Sequence, residues 1–131
     1  MTARRFITWS RILLGLYLLA VFFLCFGKFD SAPSVDLSFL GIPTDKLVHF
    51  AMFLPYPFLV YFSLRSRKMR RADRARAIGW VFLSGLVIAA ATEAAQYFIP
   101  YRTGEWKDLF ADGAAIAVSS LILLVLCLRK D

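Results

Sequence analysis

Four long apolar stretches limit what this chain can fold into. They cover about residues 11–26, 47–64, 77–99 and 109–128. A transmembrane helix needs roughly 20 mainly apolar residues, and the first stretch approaches that length if its helix extends back to residue 6. The chain is 60% hydrophobic, whereas soluble domains are about 45–50% apolar. The sequence therefore predicts an all-α membrane protein, a single domain over residues 1–131, with helices at about 6–26, 45–64, 77–99 and 108–128.

Basic residues predict the orientation of this bundle. The segment 65–76, RSRKMRRADRAR, contains seven Lys or Arg residues, whereas segments 27–46 and 100–108 contain two each. Loops rich in Lys and Arg stay in the cytoplasm. We therefore expect a basic cytoplasmic loop at 65–76 and cytoplasmic N- and C-termini. The net charge of +7 mostly reflects this orientation, and no nucleic-acid partner is predicted.

Two smaller expectations concern the first helix and the cysteines. No small-x-small cleavage site follows the first apolar stretch, so we expect a retained helix rather than a signal peptide. Cys25 and Cys127 fall at opposite membrane levels. That separation exceeds the roughly 7 Å Cα limit for a disulfide, and both cysteines are expected to be free.

Ionisable residues of the predicted helices concentrate toward the outer side of the membrane. Asp45 and His49 stand one turn apart at the start of the second helix, and Asp108 and Asp112 do so at the start of the fourth. Glu93 lies about 9 Å below the predicted end of the third helix. An unpaired carboxylate at that depth costs several kcal/mol or takes up a proton. We therefore expect these helix faces to turn toward each other.

Convergence of the faces predicts a hydrated polar pocket. The predicted ligand-binding residues are Asp45, Lys46, His49, Glu93, Gln96, Arg102, Asp108 and Asp112. Small residues on the same two faces, which let helices approach closely in lipid, are Gly85, Ala89, Ala115 and Ser119. Simpler roles compete at three positions. Asp45 could cap the second helix, Asp108 could serve as a favourable acid in a first helical turn, and His49 could be a structural hydrogen-bonding residue.

Pro55 and Pro57 stand in the middle of the second helix. Proline removes a backbone donor, so these residues predict a kink or a widened cavity beneath His49.

Three motifs in order resemble a known family. DKLVHF at 45–50, TEAAQYFIPYR at 92–102 and DLFAD at 108–112 are similar to the pattern of the VanZ-like family of small bacterial membrane proteins. The resemblance implies a multi-pass protein of the bacterial inner membrane with a link to glycopeptide resistance, chiefly to teicoplanin. It also implies site roles for Asp45, Lys46, His49, Glu93, Gln96, Arg102 and Asp108. The sequence departs from the family at Asp112, where Asn is frequent, and at Ala115, where Gly is frequent.

The favoured functional hypothesis is binding of an outer-leaflet amphiphile. The expected partner is a membrane lipid, a lipid-linked cell-wall precursor or a lipoglycopeptide antibiotic. Arg102, Lys46 and His49 would meet a phosphate or carboxylate of this ligand. The sequence leaves the oligomeric state open.

Two other classes of function remain in competition. A membrane-embedded enzyme acting on a lipid-linked phosphate or wall precursor would use His49, Glu93 and Asp108 as catalytic candidates. Its variant form has His49, Glu93, Asp108 and Asp112 holding a divalent cation. The chain has no metal-binding motif of defined spacing such as H-E-x-x-H, and neither a metal nor a cofactor is predicted. A proton-coupled transporter would relay protons through the same acids, but the inner halves of the helices are almost purely apolar.

Overall fold

The described residues of the protein form five α-helices that make four membrane-length spans. The computed structural model describes residues 2–27, 41–42, 44–65, 69–101 and 105–130. The helices are α1 (Ala3–Phe26), α2 (Thr44–Phe53), α3 (Tyr56–Leu64), α4 (Arg71–Tyr97) and α5 (Trp106–Arg129). Helices α2 and α3 together form one span, and all four spans are long and apolar enough to cross a membrane. The predicted all-α, four-span architecture is confirmed.

The second span is interrupted at residues 54–55, next to the predicted proline kink. Helix α2 ends at Phe53, and α3 begins at Tyr56. The prolines at 55 and 57 have no N–H, so two carbonyls of the last turn of α2 cannot receive their usual bonds. On the neighbouring helix, the Tyr17 hydroxyl donates a 2.6 Å hydrogen bond to the carbonyl of Met52. Helix α1 thus satisfies a backbone group at the interruption.

Helix α4 differs from the prediction at both ends. It begins at Arg71, inside the segment predicted as a loop. Ala and Arg favour helix formation, and Asp73 lies 3.8 Å from Arg76 one turn later. The basic loop is accordingly shorter than 65–76. At its other end the helix stops at Tyr97, which places Glu93 about 6 Å from the helix end rather than 9 Å.

Helix α5 is the centre of the bundle. It packs against α4, α2 and α3, whereas α1 packs mainly against α3. The end of α1, the start of α2, the end of α4 and the start of α5 all lie at one end of the bundle, which we call the site end. Because α2, α4 and α5 each present one terminus there, side chains near those termini can meet.

Small residues allow the close approach of α4 and α5, as their spacing predicts. Ala89 and Ala115 are fully buried. A Cβ atom on Gly85 would lie 3.0 Å from side-chain atoms of both Tyr56 and Ile116. The predicted packing face of α4 is therefore confirmed, and its rotation turns Glu93 toward α2 and α5.

Neither Cys25 nor Cys127 forms a disulfide, as predicted. Cys25 is buried near the end of α1, while Cys127 is partly exposed near the end of α5.

Candidate functional site

A lysine cluster occupies the site end of the bundle. It consists of Lys46 and three carboxylates. The Lys46 Nζ atom lies 2.9 Å from Asp45 Oδ2, 3.0 Å from Glu105 Oε2 and 3.0 Å from Asp108 Oδ1. A lysine ammonium has three N–H donors, so all three are engaged by acids. Lys46 therefore holds the starts of α2 and α5 together.

A histidine cluster lies deeper between the helices. It consists of His49 from α2, Glu93 from α4 and Asp112 from α5. The His49 Nδ1 atom is hydrogen-bonded to Asp112 Oδ1 at 3.0 Å and lies 3.6 Å from Glu93 Oε1. One ligand-type atom from each of the three residues lies within 4.8 Å of the other two. Three separate segments of the chain thus bring a base and two acids to one point.

Asp108 connects the two clusters. Its Oδ1 atom binds Lys46, and its Oδ2 atom lies 3.5 Å from His49 Nε2. Asp108 is 6% exposed. Both ring nitrogens of His49 therefore face carboxylates, and the ring orientation is fixed from both edges.

The histidine cluster lies below the helix ends at the site end of the bundle. Counted from the helix ends, Glu93 is roughly 6 Å, His49 roughly 8 Å and Asp112 roughly 9 Å inside the bundle. Glu93 is 7% exposed and Asp112 is 0% exposed. The three side chains lie at similar distances from the site end because each residue stands four to six positions from the terminus of its helix there.

Several carboxylate oxygens of the histidine cluster lack a hydrogen-bond partner. Among the described residues, no donor bonds to either side-chain oxygen of Glu93 or to Asp112 Oδ2. Buried polar groups are nearly always hydrogen-bonded, and an unpaired buried carboxylate is more costly than an unpaired neutral group. These oxygens are therefore acceptors whose hydrogen-bonding capacity is unused within the described part of the chain.

The two clusters together carry an excess of negative charge. Within the described ranges, Lys46 and His49 are the only basic groups in them. The five acids of the two clusters are Asp45, Glu93, Glu105, Asp108 and Asp112. We call the seven residues of the two clusters the recess. With all five acids ionised and His49 protonated, the recess has three more negative than positive formal charges. In a low-dielectric setting this excess calls for a cation, a proton or a donor-rich ligand.

The structure brings together six of the eight predicted site residues. These six are Asp45, Lys46, His49, Glu93, Asp108 and Asp112. Arg102 lies outside the described residues. Gln96 contacts α1 instead: its side-chain amide donates a 2.8 Å hydrogen bond to the backbone carbonyl of Cys25. It joins α4 to the end of α1.

Sequence reasoning missed Glu105. This residue immediately precedes α5, and its carboxylate binds Lys46. It stands three positions before Asp108, a spacing that places two residues on the same side of a first helical turn. This three-residue spacing could have indicated from the sequence that Glu105 belongs to the site.

An apolar groove adjoins the polar recess. It has a volume of about 670 Å³ and lies between α4 and α5. Its lining residues include Leu86, Ala90, Trp106, Phe110, Gly113 and Ala117. Leu86 and Ala90 precede Glu93 by two turns and one turn of the same helix. Trp106 follows Glu105 directly, so the groove and the lysine cluster meet at the start of α5.

The fold and the recess define a class: a multi-pass membrane protein with a charged side-chain cluster between its helices. The family model for VanZ/LLP1 matches residues 14–127. The chain belongs to this family and is a VanZ-like membrane protein. No curated protein and no solved structure shows significant similarity to the chain.

Proposed function

We propose that this protein binds an amphiphile from the outer leaflet of a bacterial inner membrane, with both of its termini in the cytoplasm. The polar headgroup lies at the recess, and the apolar tail lies in the groove between α4 and α5. The ligand class is an envelope lipid, a lipid-linked wall precursor or a lipoglycopeptide. Through this binding the protein contributes to resistance of the teicoplanin type.

The observation that carries the proposal is the junction at the start of α5. Two consecutive residues face different surroundings there: Glu105 binds Lys46 of the recess, and Trp106 lines the apolar groove. A polar site whose residues alternate along α5 with residues that line an apolar groove matches the two halves of an amphiphile. Ligand sites in general have volumes of about 300–1,000 Å³, mostly apolar walls and a few placed polar groups.

The charges of the recess restrict the headgroup. All three donors of Lys46 are engaged by carboxylates, so this lysine is a poor contact for an anion. The carboxylates of Asp45 and Glu105 are about half exposed and can accept hydrogen bonds at the mouth of the recess. A headgroup with several hydroxyl or amino donors, such as a glycosylated one, fits this surface.

Binding of an amphiphile tail in the groove can be tested with a substitution whose side chain fills the groove. Ala117→Phe places an aromatic ring in the groove, and Ala20→Phe makes the same change at an exposed position of α1. Native mass spectrometry of gently purified protein should show a retained amphiphile in the wild type and in Ala20→Phe. Ala117→Phe should lose most of it. Equal retention by all three proteins would contradict the proposal.

The role in resistance is tested separately. Cells expressing Glu93→Gln at a level equal to wild type should show teicoplanin susceptibility close to that of cells without the protein. Cells expressing Ala20→Phe should match wild type. If Glu93→Gln left the resistance level unchanged, the recess would have no role in resistance.

One contact favours a second candidate, an enzyme acting on a lipid-linked phosphate. His49 and Asp112 form a 3.0 Å hydrogen bond, and a carboxylate that orients a histidine is a frequent arrangement in general acid–base catalysis. Release of inorganic phosphate from an isoprenoid phosphate, lost in His49→Gln but kept in Ala20→Phe, would establish this candidate. Ligand retention without turnover would eliminate it.

A further inference from the structure

We infer that the histidine cluster is a binding site for one divalent transition-metal ion. His49 Nδ1, one oxygen of Glu93 and one oxygen of Asp112 would be its protein ligands. The site itself stands on side-chain geometry. Only its use in holding a headgroup oxygen rests on the proposed function.

Distances within the cluster suit a metal ion. Ligand atoms around a four- or six-coordinate ion, with bonds of about 2.0–2.2 Å, lie roughly 3.0–3.5 Å apart. The Nδ1 atom of His49 lies 3.0 Å from Asp112 Oδ1 and 3.6 Å from Glu93 Oε1. The ligand atoms of Glu93 and Asp112 lie within 4.8 Å of each other, so side-chain rotation that shortens this separation would place all three atoms around one ion.

The unpaired carboxylate of Glu93 provides an independent indication. Its side chain is 8% exposed, and neither of its oxygens has a hydrogen-bond partner in the described part of the chain. It nevertheless lies within ion-pair distance of His49. A buried carboxylate that is aimed at two other potential ligands, with no donor at full hydrogen-bonding geometry among the described residues, is a group that a cation would satisfy.

Asp108 completes the arrangement around the histidine. Metal-binding histidines usually donate their second ring N–H to a carboxylate, which fixes the tautomer. The His49 Nε2 atom faces Asp108 Oδ2 at 3.5 Å. When the ring proton is on Nε2, the lone pair of Nδ1 points into the cluster. Asp108 is therefore a positioning residue for the ligand.

The types of ligand select the ion. A set of one imidazole nitrogen and two carboxylates suits Zn²⁺ or Mn²⁺, whereas Mg²⁺ and Ca²⁺ prefer oxygen ligands alone. Three protein ligands leave an open coordination position, which a headgroup oxygen could fill. The acids of the lysine cluster are a poorer site, because the Lys46 ammonium already occupies the point between them and contacts one oxygen of each.

The experiment is a zinc titration of the full chain in detergent. The protein is purified through a tag without histidine, treated with chelator and titrated with ZnCl₂ in a calorimeter. Wild type should bind one equivalent. Glu93→Gln and Asp112→Asn should lose saturable binding, and Asp108→Asn should bind about 10–100-fold more weakly. Asp73→Asn, a partly exposed substitution at the opposite end of α4, should bind like wild type.

A spectroscopic measurement protects the test against variants that fold poorly. The chain contains one histidine, so any imidazole ligand must be His49. Wild-type protein loaded with Co²⁺ should show visible absorption bands of a site with mixed nitrogen and oxygen ligands. Weak, non-saturable zinc binding that is unchanged by Glu93→Gln, or a Co²⁺ spectrum without nitrogen ligation, would overturn the inference.

The two proposals fail separately. Zinc binding is measured without any amphiphile, and amphiphile retention is measured without added metal. If Zn²⁺ binds and no amphiphile is retained, the metal site stands and the proposed function falls. If an amphiphile is retained and Zn²⁺ does not bind, the reverse holds.

Discussion

The imidazole of His49 and the carboxylate of Asp112 lie 3.0 Å apart, although 62 residues separate them in the chain. The first belongs to a ten-residue helix that ends within the second span, and the second is fully buried on the central helix of the bundle. Glu93 adds a second acid from a third helix. The contact thus depends on the mutual rotation of three helices, and changes at these residues test the packing and the chemistry together.

Replacing Glu93 with Gln should stabilise the protein when no ligand or metal is bound. The substitution keeps the shape of the side chain and removes a buried charge that has no hydrogen-bond partner among the described residues. Leaving such a group unsatisfied costs about 1–3 kcal/mol, more for a charge. Denaturant unfolding of chelator-treated protein should therefore show a gain of about that size.

The control for this prediction is Glu105→Gln. Its side chain is 50% exposed, so its effect should stay within about 1 kcal/mol. Destabilisation by Glu93→Gln would mean that the Glu93 carboxylate is well satisfied in the fold.

Gly85 should not tolerate even one added methyl group. A Cβ atom there would lie 3.0 Å from Tyr56 and from Ile116, and overpacking of a well-packed site costs about 1–3 kcal/mol. Gly79→Ala is the matched change on the same helix. Its Cβ would meet nothing within 4 Å, so it should stabilise α4 by about 0.5–1 kcal/mol. Unfolding midpoints that move in the same direction for both variants would contradict the packing described here.

Tyr17→Phe should weaken the interrupted span. The substitution removes the donor to the Met52 carbonyl and leaves the ring in place, so the expected loss of stability is about 0.5–1.5 kcal/mol. Tyr97→Phe serves as its control, because Tyr97 is 75% exposed. Hydrogen exchange should also rise in residues 50–56 of Tyr17→Phe, and not in the control.

Gln96→Leu separates a structural role from a ligand-binding one. The amide of Gln96 donates to the carbonyl of Cys25, so the variant should loosen the last turn of α1, at a cost of about 1 kcal/mol. Faster hydrogen exchange in residues 22–27 would report this effect. Zinc affinity and amphiphile retention should stay at wild-type levels. If Gln96→Leu lost zinc or amphiphile binding while hydrogen exchange in residues 22–27 stayed at the wild-type rate, Gln96 would be a ligand-binding residue after all.

The orientation is accessible to chemical labelling. In a background with Cys25→Ala and Cys127→Ala, single cysteines replace Thr2 at one end of the bundle and Trp106 at the other. A membrane-impermeant maleimide added to intact spheroplasts should label Trp106→Cys and not Thr2→Cys, because basic flanks are retained in the cytoplasm. The opposite pattern would place the recess at the cytoplasmic face.

The sequence predicted those features that depend on local spacing. Asp45 and Lys46 meet Asp108, and His49 meets Asp112, because each group starts a helix at the same end. The small residues of α4 and α5 correctly indicated which faces pack together. Such features follow from helix periodicity and from the need to pair charges in lipid.

Other features needed the three-dimensional arrangement. Gln96 was assigned to the pocket because it stands three residues after Glu93, but the position of α1 determines its partner. Glu105 was missed because it lies just outside the predicted fourth helix. The prolines predicted a kink, and whether the helix bends or stops depends on donors such as Tyr17 from a neighbouring helix.

The interruption at residues 54–55 also has an electrostatic consequence. A helix carries a dipole with about half a positive charge at its N-terminus and half a negative charge at its C-terminus. The negative pole of α2 adjoins the positive pole of α3, so the two partial charges offset each other in the hydrocarbon. At its other terminus, the positive pole of α2 lies beside Asp45 in its first turn. The positive pole of α2 therefore faces the acids of the lysine cluster. Its negative pole is offset by the N-terminus of α3 within the second span.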